Sequence, residues 1–455
     1  MRRKKKLKEI FEELKEKTLA SMDGKLQEVK KEDQTIQLLY IKTLCNSAGI
    51  NQAILKPFYE MEQQSSFETY LTSLDGYTEF QDLEKTIEAI MTGSVIILTS
   101  MNLYIIELQK IENSTVLDTN IETTIYGPQK ALSESIMTNL NLIRSRYRYH
   151  YLIAEKIGRL GYKSNLDVCI LYDQKSVNQV ALKMLREQLE ELKKQEVLFQ
   201  ALGEISKALS RGKRTLFPSL MQTQRPDRIA HNIFQGKVII LMEGSPFALI
   251  APAVFFDYLR SMDDLYQPYW VAKFVMSLRV IGIIVSLILP GLYIGMTSYN
   301  PGLFRVQLAL TIAGSRMSVP YPSFVEVIFM LVMMEMLVEA SIRLPSVVGP
   351  TATTVGGLIL GQAATDAGLV SNIMVIIVSA VAIANFVIPV NEMTNAIRVL
   401  KYLFLFVAIF TGILGVILSL VAFIAYLVFK ESYGEPYLKL VIGKGDHKDI
   451  KGMQQ

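Results

Sequence analysis

Cysteine and histidine are scarce in this sequence. The two cysteines, Cys45 and Cys169, lie far apart, and the three histidines, His150, His231 and His447, are scattered. Disulfide frameworks and zinc sites need ligands at characteristic spacings, so the sequence predicts neither. It also contains no recognisable nucleophile–base arrangement, and we therefore expect no enzyme activity, no metal and no cofactor. This cysteine usage favours a cytosolic soluble part.

Charge is scarce over one long stretch. Residues 271–429 carry 12 charged side chains in 159 positions, whereas the other 296 residues carry 78. This contrast predicts a soluble domain joined to a membrane domain, with the boundary near residue 270. The formal net charge of +4 is small and dispersed, so nucleic acid is not an expected partner.

Residues 1–34 are a basic amphipathic segment. Six of the first eight residues are basic, and Leu7, Ile10, Phe11 and Leu14 recur at helical spacing. Two interpretations are open: a helix lying on anionic lipid headgroups, or an ordinary amphipathic helix with a solvated start. The basic run leads into a charged helix, so the segment does not have the pattern of a signal peptide.

Residues 35–255 alternate strand and helix patterns, which predicts an α/β soluble domain of two small subdomains, 35–120 and 121–255. In the first we expect a strand at 35–44, a helix at 50–60 and a hairpin at 94–99 and 103–108. In the second we expect a helix from residue 136, a strand at 166–172, a helix at 177–195 and a hairpin at 237–242 and 247–250.

Three alternating arginines, Arg144, Arg146 and Arg148, end the helix that starts at residue 136. Guanidinium groups bind phosphates and carboxylates well, so these residues are candidates for contact with an anion, a lipid headgroup or an acidic partner. The alternative is that they only complement the helix dipole.

The apolar half predicts an all-α polytopic membrane domain at 271–430, with a cytosolic tail at 431–455. We expect spans at 274–296, 324–342, 373–390 and 402–429, an interfacial or re-entrant helix within 301–321, and either a full helix or a re-entrant pair at 351–370. If both ends of the membrane domain lie in the cytosol, the number of spans must be even. Four spans and a re-entrant segment are then the simplest arrangement. Arg398 and Lys401 would then face outward.

Ionisable side chains in a membrane segment indicate a substrate or ion pathway, or an interface between subunits. Glu335, Glu339 and Arg343 are spaced four residues apart and share one helix face. We expect an internal ion pair between Glu339 and Arg343, which leaves Glu335 without a local partner as the better pathway candidate. Gln362 and Asp366 follow in a Gly- and Thr-rich segment beyond the prolines at 345 and 350, and are further candidates.

Small residues at four-residue spacing let helices approach closely. The pairs are Gly291 with Gly295 and Gly357 with Gly361. They serve packing either within one subunit or at an oligomer seam. Asn385 lies inside an apolar helix and faces either a pore or a neighbouring helix.

A series of short motifs occurs in order along residues 124–440. The motifs are Gly127-Pro128, Thr138-Asn139, Leu142-Ile143-Arg144, Arg225-Pro226-Asp227, Gly244-Ser245-Pro246-Phe247, Glu339-Ala340, Arg343-Leu344-Pro345, Val355-Gly356-Gly357-Leu358, Gly361-Gln362-Ala363-Ala364 and Pro436-Tyr437-Leu438. With this series the chain resembles the A subunit of spore germinant receptors, the GerA family of endospore-forming bacteria.

The resemblance implies a cytosolic two-part α/β domain and a membrane domain in the inner membrane of the dormant spore. It also implies a complex with a permease-like B subunit and a lipoprotein C subunit, in which the A subunit is a homo-oligomer that forms an ion channel. The expected function is therefore a non-enzymatic, channel-forming receptor subunit that responds to a germinant. The alternatives are a secondary transporter or a membrane scaffold subunit.

Overall fold

The computed structural model describes residues 2–31, 34–100, 102–110, 122, 127–161, 164–195, 197–210, 215–344 and 348–439. The predicted proline break at 345 and the tail beyond 439 lie outside these residues. The chain folds into two α/β subdomains followed by a helical domain, which confirms the predicted fold class.

Subdomain 1 is built on a five-stranded antiparallel sheet with the order β1-β2-β4-β5-β3. Its elements are α1 (Arg2–Leu19), β1 (Gly24–Lys31), β2 (Gln34–Ile41), α2 (Ser47–Ile50), a π-helical turn (Asn51–Leu55), α3 (Lys56–Glu60), α4 (Gln64–Ser73), β3 (Tyr77–Glu79), α5 (Leu83–Thr92), β4 (Ser94–Leu98) and β5 (Leu103–Glu107). Side chains alternate across the strands. One sheet face therefore packs on α1 and α5, and the other on α2 to α4.

Subdomain 2 has the same topology. Its elements are α6 (Ile136–Arg146), β6 (Leu152–Leu160), β7 (Leu166–Asp173), α7 (Gln179–Lys193), α8 (Leu202–Leu209), β8 (Met221–Thr223), α9 (Pro226–Phe234), β9 (Val238–Met242) and β10 (Ala248–Ala251). The order β6-β7-β9-β10-β8 repeats that of the first sheet strand for strand. The predicted hairpins are confirmed as β4–β5 and β9–β10.

The separate N-terminal segment expected at 1–34 was wrong. Phe11 and Leu14 of α1 are fully buried against the first sheet, so the apolar stripe of this helix is not free to lie on lipid. Strand β1 pairs with β2 along its whole length and belongs to the same sheet. The sequence GKLQEVKK does not have the alternating apolar pattern of a strand. Strand β1 lies at the sheet edge, and Val29 is its one buried side chain.

The helical domain contains seven α-helices in the described residues. They are α10 (Tyr269–Ile294), which continues into a π-helical turn (Gly295–Tyr299), α11 (Val306–Ser315), α12 (Ser323–Arg343), α13 (Gly349–Asp366), α14 (Asn372–Phe386), α15 (Asn391–Thr411) and α16 (Ile413–Phe429). The segment at 351–370 is thus one helix and not a re-entrant pair. The single span expected at 402–429 was also wrong, since Gly412 (φ +63°) separates α15 from α16.

Six of these helices, all except the short α11, alternate in direction along the chain. The start of α12 contacts the end of the π-helical turn, with Ser298 and Ser323 hydroxyls 2.5 Å apart, at the end far from subdomain 2. The turn between α15 and α16 also lies there, because the Tyr299 hydroxyl donates to the Ile409 carbonyl. At the near end, Glu392 of α15 accepts from the Gln222 backbone N–H of β8. The re-entrant segment in the predicted arrangement was therefore wrong, because α13 is one helix in this alternating series. Helix α11 is a short helix at the far end.

The chain returns to subdomain 2 after α16. A small hairpin, β11 (Glu431–Ser432) with β12 (Glu435–Pro436), leads into Tyr437. Tyr437 is fully buried, and its hydroxyl donates to the Pro218 carbonyl at 2.7 Å. Both α10 and α16 are thus anchored on subdomain 2, which puts both ends of the helical domain on one side.

Candidate functional site

Glu335 lies at the centre of a buried ionic cluster between α12 and α15. Lys401 donates to Glu335 Oε1 at 2.8 Å, and Arg398 donates to Oε2 through Nε at 2.8 Å and also through Nη2. The side chain of Lys401 is 0% exposed, and those of Arg398 and Glu335 are each 19% exposed. Glu335 has no partner close in sequence, as expected, but these two distant cations occupy its carboxylate. Arg398 and Lys401, which were expected to face outward, lie within α15 and point to α12.

Helix geometry explains this cluster. Arg398 and Lys401 are three residues apart on α15 and share a face, so one carboxylate can reach both cations. The Tyr402 hydroxyl adds a bond to the Leu331 carbonyl of α12 at 3.3 Å. Two cations meet one anion here, so the cluster holds α12 against α15 and retains one excess positive charge.

The Glu339–Arg343 pair is present but lies on the surface. Arg343 Nη2 donates to Glu339 Oε1 at 2.7 Å, and the side chains of Arg343 and Glu339 are 76% and 57% exposed. An ion pair at this exposure contributes little to stability. Burial is therefore costly for the charges around Glu335, which lies one turn earlier in α12.

Helix α13 packs loosely beside α12. Among its described side chains Ala364 is the buried one, and Gln362 and Asp366 are both exposed. A Cβ added at Gly357 would have Leu337 as its nearest neighbour at 3.9 Å, and one at Gly361 would meet Val375 at 3.6 Å. Within the described residues these glycines make no close helix crossing: Gly357 is exposed, and Gly361 has only an ordinary contact with α14.

Gly291 and Gly295 behave differently. A Cβ at Gly291 would approach Val416 at 3.0 Å, and one at Gly295 would approach Ile413 at 2.7 Å. Both glycines therefore let α10 approach the corner between α15 and α16, which is packing within one subunit.

Asn385 of α14 is buried and forms a contact between helices. The Ser286 hydroxyl of α10 donates to Asn385 Oδ1 at 2.7 Å. Of the two interpretations of Asn385, the structure thus favours contact with a neighbouring helix.

Sequence reasoning did not single out a second buried carboxylate, Glu326. Its Oε1 accepts from both the backbone N–H and the hydroxyl of Ser371 at 2.6 Å, and its Oε2 lies 3.5 Å from Arg316 Nε. Ser371 also caps α14 by accepting from Met374 N–H. The contact joins α12 to the start of α14. The signal was a lone Glu in the first turn of an apolar helix.

The three arginines of α6 and the segment after it separate in the structure. Arg146 and Arg148 are exposed, whereas Arg144 is 2% exposed and donates to both Asp23 oxygens at 2.8 Å. Burial would raise the pKa of Asp23, but the Arg144 charge and hydroxyl donors outweigh it and leave that pKa below its usual value. Arg144 thus joins the two subdomains and is not available to an external anion.

Fold and site together define a class of protein: a duplicated α/β domain that carries an α-helical domain with buried ionic contacts. In the part of the chain that the structure describes, two helical segments, Tyr269–Tyr299 and Asn391–Thr411, are long and apolar enough to cross a membrane. Residues 5–452 match the family described as Bacillus/Clostridium GerA spore germination protein. The chain belongs to this family.

Several proteins are similar to the chain over most of its length. Spore germination protein KA of Bacillus subtilis (strain 168) is 31% identical, over 94% of this chain and 80% of that protein. Spore germination protein GerLA of Bacillus cereus is 33% identical, over 88% and 79% respectively. A membrane protein of Bacillus subtilis (strain 168), YfkQ, is 28% identical over 88% of this chain and 79% of its own length. The family match and the two germination proteins support a role in spore germination.

One solved structure is similar to part of the chain. It is the crystal structure of the N-terminal domain of the A subunit of the Bacillus megaterium spore germinant receptor GerK3. That domain is 22% identical with a TM-score of 0.40, over 54% of this chain and 94% of the solved chain.

Proposed function

We propose that the chain is the non-enzymatic A subunit of a germinant receptor, which assembles as a homo-oligomer and opens a path for cations. Its helical domain would span the inner membrane of the spore, with the α/β domain in the cytosol. A permease-like B subunit and a lipoprotein C subunit are the proposed partners. Membership of the GerA family supports the germination part of this proposal.

The observation that carries the ion path is the exposure of polar side chains on α12 and α13. Gln362, Asp366, Glu339 and Arg343 are all exposed, although they belong to helices rich in apolar residues. At 100° per residue, Gln362 and Asp366 lie about 40° apart around α13, so they share one stripe. Polar groups at membrane depth need water or a protein partner. We therefore place this stripe along a water-filled path between subunits.

Within this proposal Glu335 is a positioning residue. Its carboxylate is occupied by Arg398 and Lys401, so it would set how α12 lies against α15 and would not meet the ion directly. Asp366, exposed at the end of α13, is the better candidate for contact with a passing cation.

Reconstitution tests these roles. The receptor, as its proposed A, B and C subunits, would be placed in liposomes and its cation conductance recorded with and without germinant. We expect Asp366→Asn to lower the unitary cation conductance about twofold or more, because it removes a charge at the path. Glu335→Gln should change the fraction of time open while the unitary conductance stays constant.

The matched control is Asp75→Asn, which removes an exposed carboxylate from subdomain 1. Absence of any conductance in a properly assembled receptor would overturn the channel proposal. If Asp366→Asn and Glu335→Gln both behave like the control, the channel stands but these residues have no part in it.

A further inference from the structure

An apolar cavity lies between α15 and α16. It encloses about 490 Å³ beside subdomain 2. Its walls include Leu400, Leu403 and Phe404 of α15 and Leu418, Ala422 and Phe423 of α16. Phe217 of subdomain 2 closes one end, with its ring 5.5 Å from that of Phe423 and 6.0 Å from that of Tyr426.

An open apolar groove of this size favours an apolar occupant. Apolar surfaces pack closely wherever they can, and water finds few hydrogen-bond partners beside Leu and Phe. The side-chain hydroxyl groups among its lining residues belong to Ser419 and Tyr426. Leu403 and Leu418 at its edges are 58% and 64% exposed, so the cavity opens sideways, away from the protein.

The closed end carries a cation. Lys430 follows α16 directly, donates to the Phe217 carbonyl, and lies 5.9 Å from the Tyr426 ring centroid and 5.0 Å from that of Tyr437. Burial lowers the pKa of Lys430 to about 8, so the ammonium group is still protonated at neutral pH. A positive charge therefore stands where the apolar walls end, close to the soluble domain.

The dimensions match one lipid leaflet. From Leu418 to Lys430 the helix rises about 18 Å at 1.5 Å per residue. Half of a bilayer hydrocarbon core is about 15 Å. Leu418 would thus lie near the bilayer midplane and Lys430 at headgroup level.

We propose that the groove between α15 and α16 binds one acyl chain of an anionic glycerophospholipid from the cytosolic leaflet, with its phosphate at Lys430. This inference rests on the proposed membrane placement of the helical domain. Leu400 and Phe404 flank Lys401, so the bound chain would brace the part of α15 that holds Glu335. Lipid composition would then act on the contact between α12 and α15.

Photolabelling of the full chain in liposomes tests the site. The probe is phosphatidylglycerol with a photoreactive group in its acyl chain, and phosphatidylcholine with the same chain is the headgroup comparison. Labelled peptides are identified by mass spectrometry. We expect wild-type labelling to concentrate at 400–407 and 418–426 and to be stronger with phosphatidylglycerol.

Two adjacent residues provide a matched pair. Ala422→Phe fills the groove and should reduce this labelling about tenfold, because the chain loses its apolar contacts. Val421→Phe introduces the same ring at a neighbouring position that is 59% exposed and is not among the lining residues, and should leave labelling unchanged. Lys430→Gln should cut the preference for phosphatidylglycerol about fivefold, and Lys430→Arg should retain it.

Competition on the wild-type chain needs no substitution. Unlabelled phosphatidylglycerol should displace the probe at lower concentration than phosphatidylcholine does. Labelling spread evenly over all the helices, or unaffected by Ala422→Phe, overturns the site. If α10 is labelled but the groove is not, another protein helix covers it and the lipid assignment is wrong. If the chain does not float with liposomes at all, the membrane placement itself fails.

Discussion

The contribution of each charged residue to stability depends on how deeply the residue is buried and not on its position in a motif. The pairs Glu339–Arg343 and Arg144–Asp23 have similar distances of 2.7 and 2.8 Å. The first pair is mostly exposed, and solvent screens it. In the second pair the side chains are 2% and 0% exposed, so loss of either partner leaves a buried charge without its counter-charge.

Asp23 should therefore control the acid stability of the α/β domain. Its pKa lies below the usual value of 3.8, so its contribution is complete above pH 3.8 and is lost as the pH falls through the lowered value. We expect Asp23→Asn to lower the free energy of unfolding at pH 7 by on the order of 3 kcal/mol and to flatten the acid limb.

The measurement is thermal unfolding of the full chain between pH 2 and 7, followed by far-UV circular dichroism. Asp75→Asn, at an exposed site of the same subdomain, is the control. An acid limb identical in wild type and Asp23→Asn would show that this carboxylate has no such role.

At the scale of elements, glycine spacing has two different meanings. The pair on α10 lies where α15 and α16 meet, whereas a Cβ on the α13 pair would meet its nearest described neighbours at 3.6 and 3.9 Å. One sequence pattern thus accompanies close packing inside the subunit in one helix and loose packing in the other. Only the neighbours of each helix distinguish the two.

Alanine substitution should separate these roles. Gly295→Ala places a Cβ 2.7 Å from Ile413 Cγ1 and 2.8 Å from its backbone nitrogen, which forces the helices apart. We expect a loss of about 1–3 kcal/mol, seen as a lower melting temperature in detergent. Gly357→Ala, with 3.9 Å to its nearest neighbour, should be tolerated. Equal melting temperatures for both variants would contradict the assignment.

At the scale of the whole molecule, subdomain 2 and the helical domain share one hydrophobic core. This core joins residues of α6 and β9 to residues of α10, α15 and α16. Tyr437 completes it from the C-terminal side, next to Phe255 with ring centroids 6.4 Å apart. Movement of the α/β domain would therefore be transmitted to α15 and α16 directly.

Removing Tyr437 should loosen this connection. Tyr437→Ala deletes a fully buried ring and is expected to cost about 3–5 kcal/mol. Tyr437→Phe loses only the hydrogen bond to Pro218, at about 1 kcal/mol. Hydrogen exchange of the full chain in detergent is the readout, with faster exchange expected in β10 and at the end of α16. If exchange rises equally in subdomain 1, the substitution has unfolded the domain generally.

The sequence by itself determined the division into α/β and helical halves, both hairpins closing the subdomains, and the family. These features follow from local periodicity, composition and ordered motifs, which need no knowledge of neighbours. It also predicted the Glu339–Arg343 pair, because four residues on one helix set that distance.

The tertiary structure alone decided the partners of Glu335. Arg398 and Lys401 are 63 and 66 residues away, and no local pattern connects them to Glu335. The same holds for Arg144 with Asp23, and for β1, whose polar sequence becomes a strand because β2 pairs with it. Burial and long-range pairing depend on how elements pack, and packing of distant segments is what local sequence does not encode.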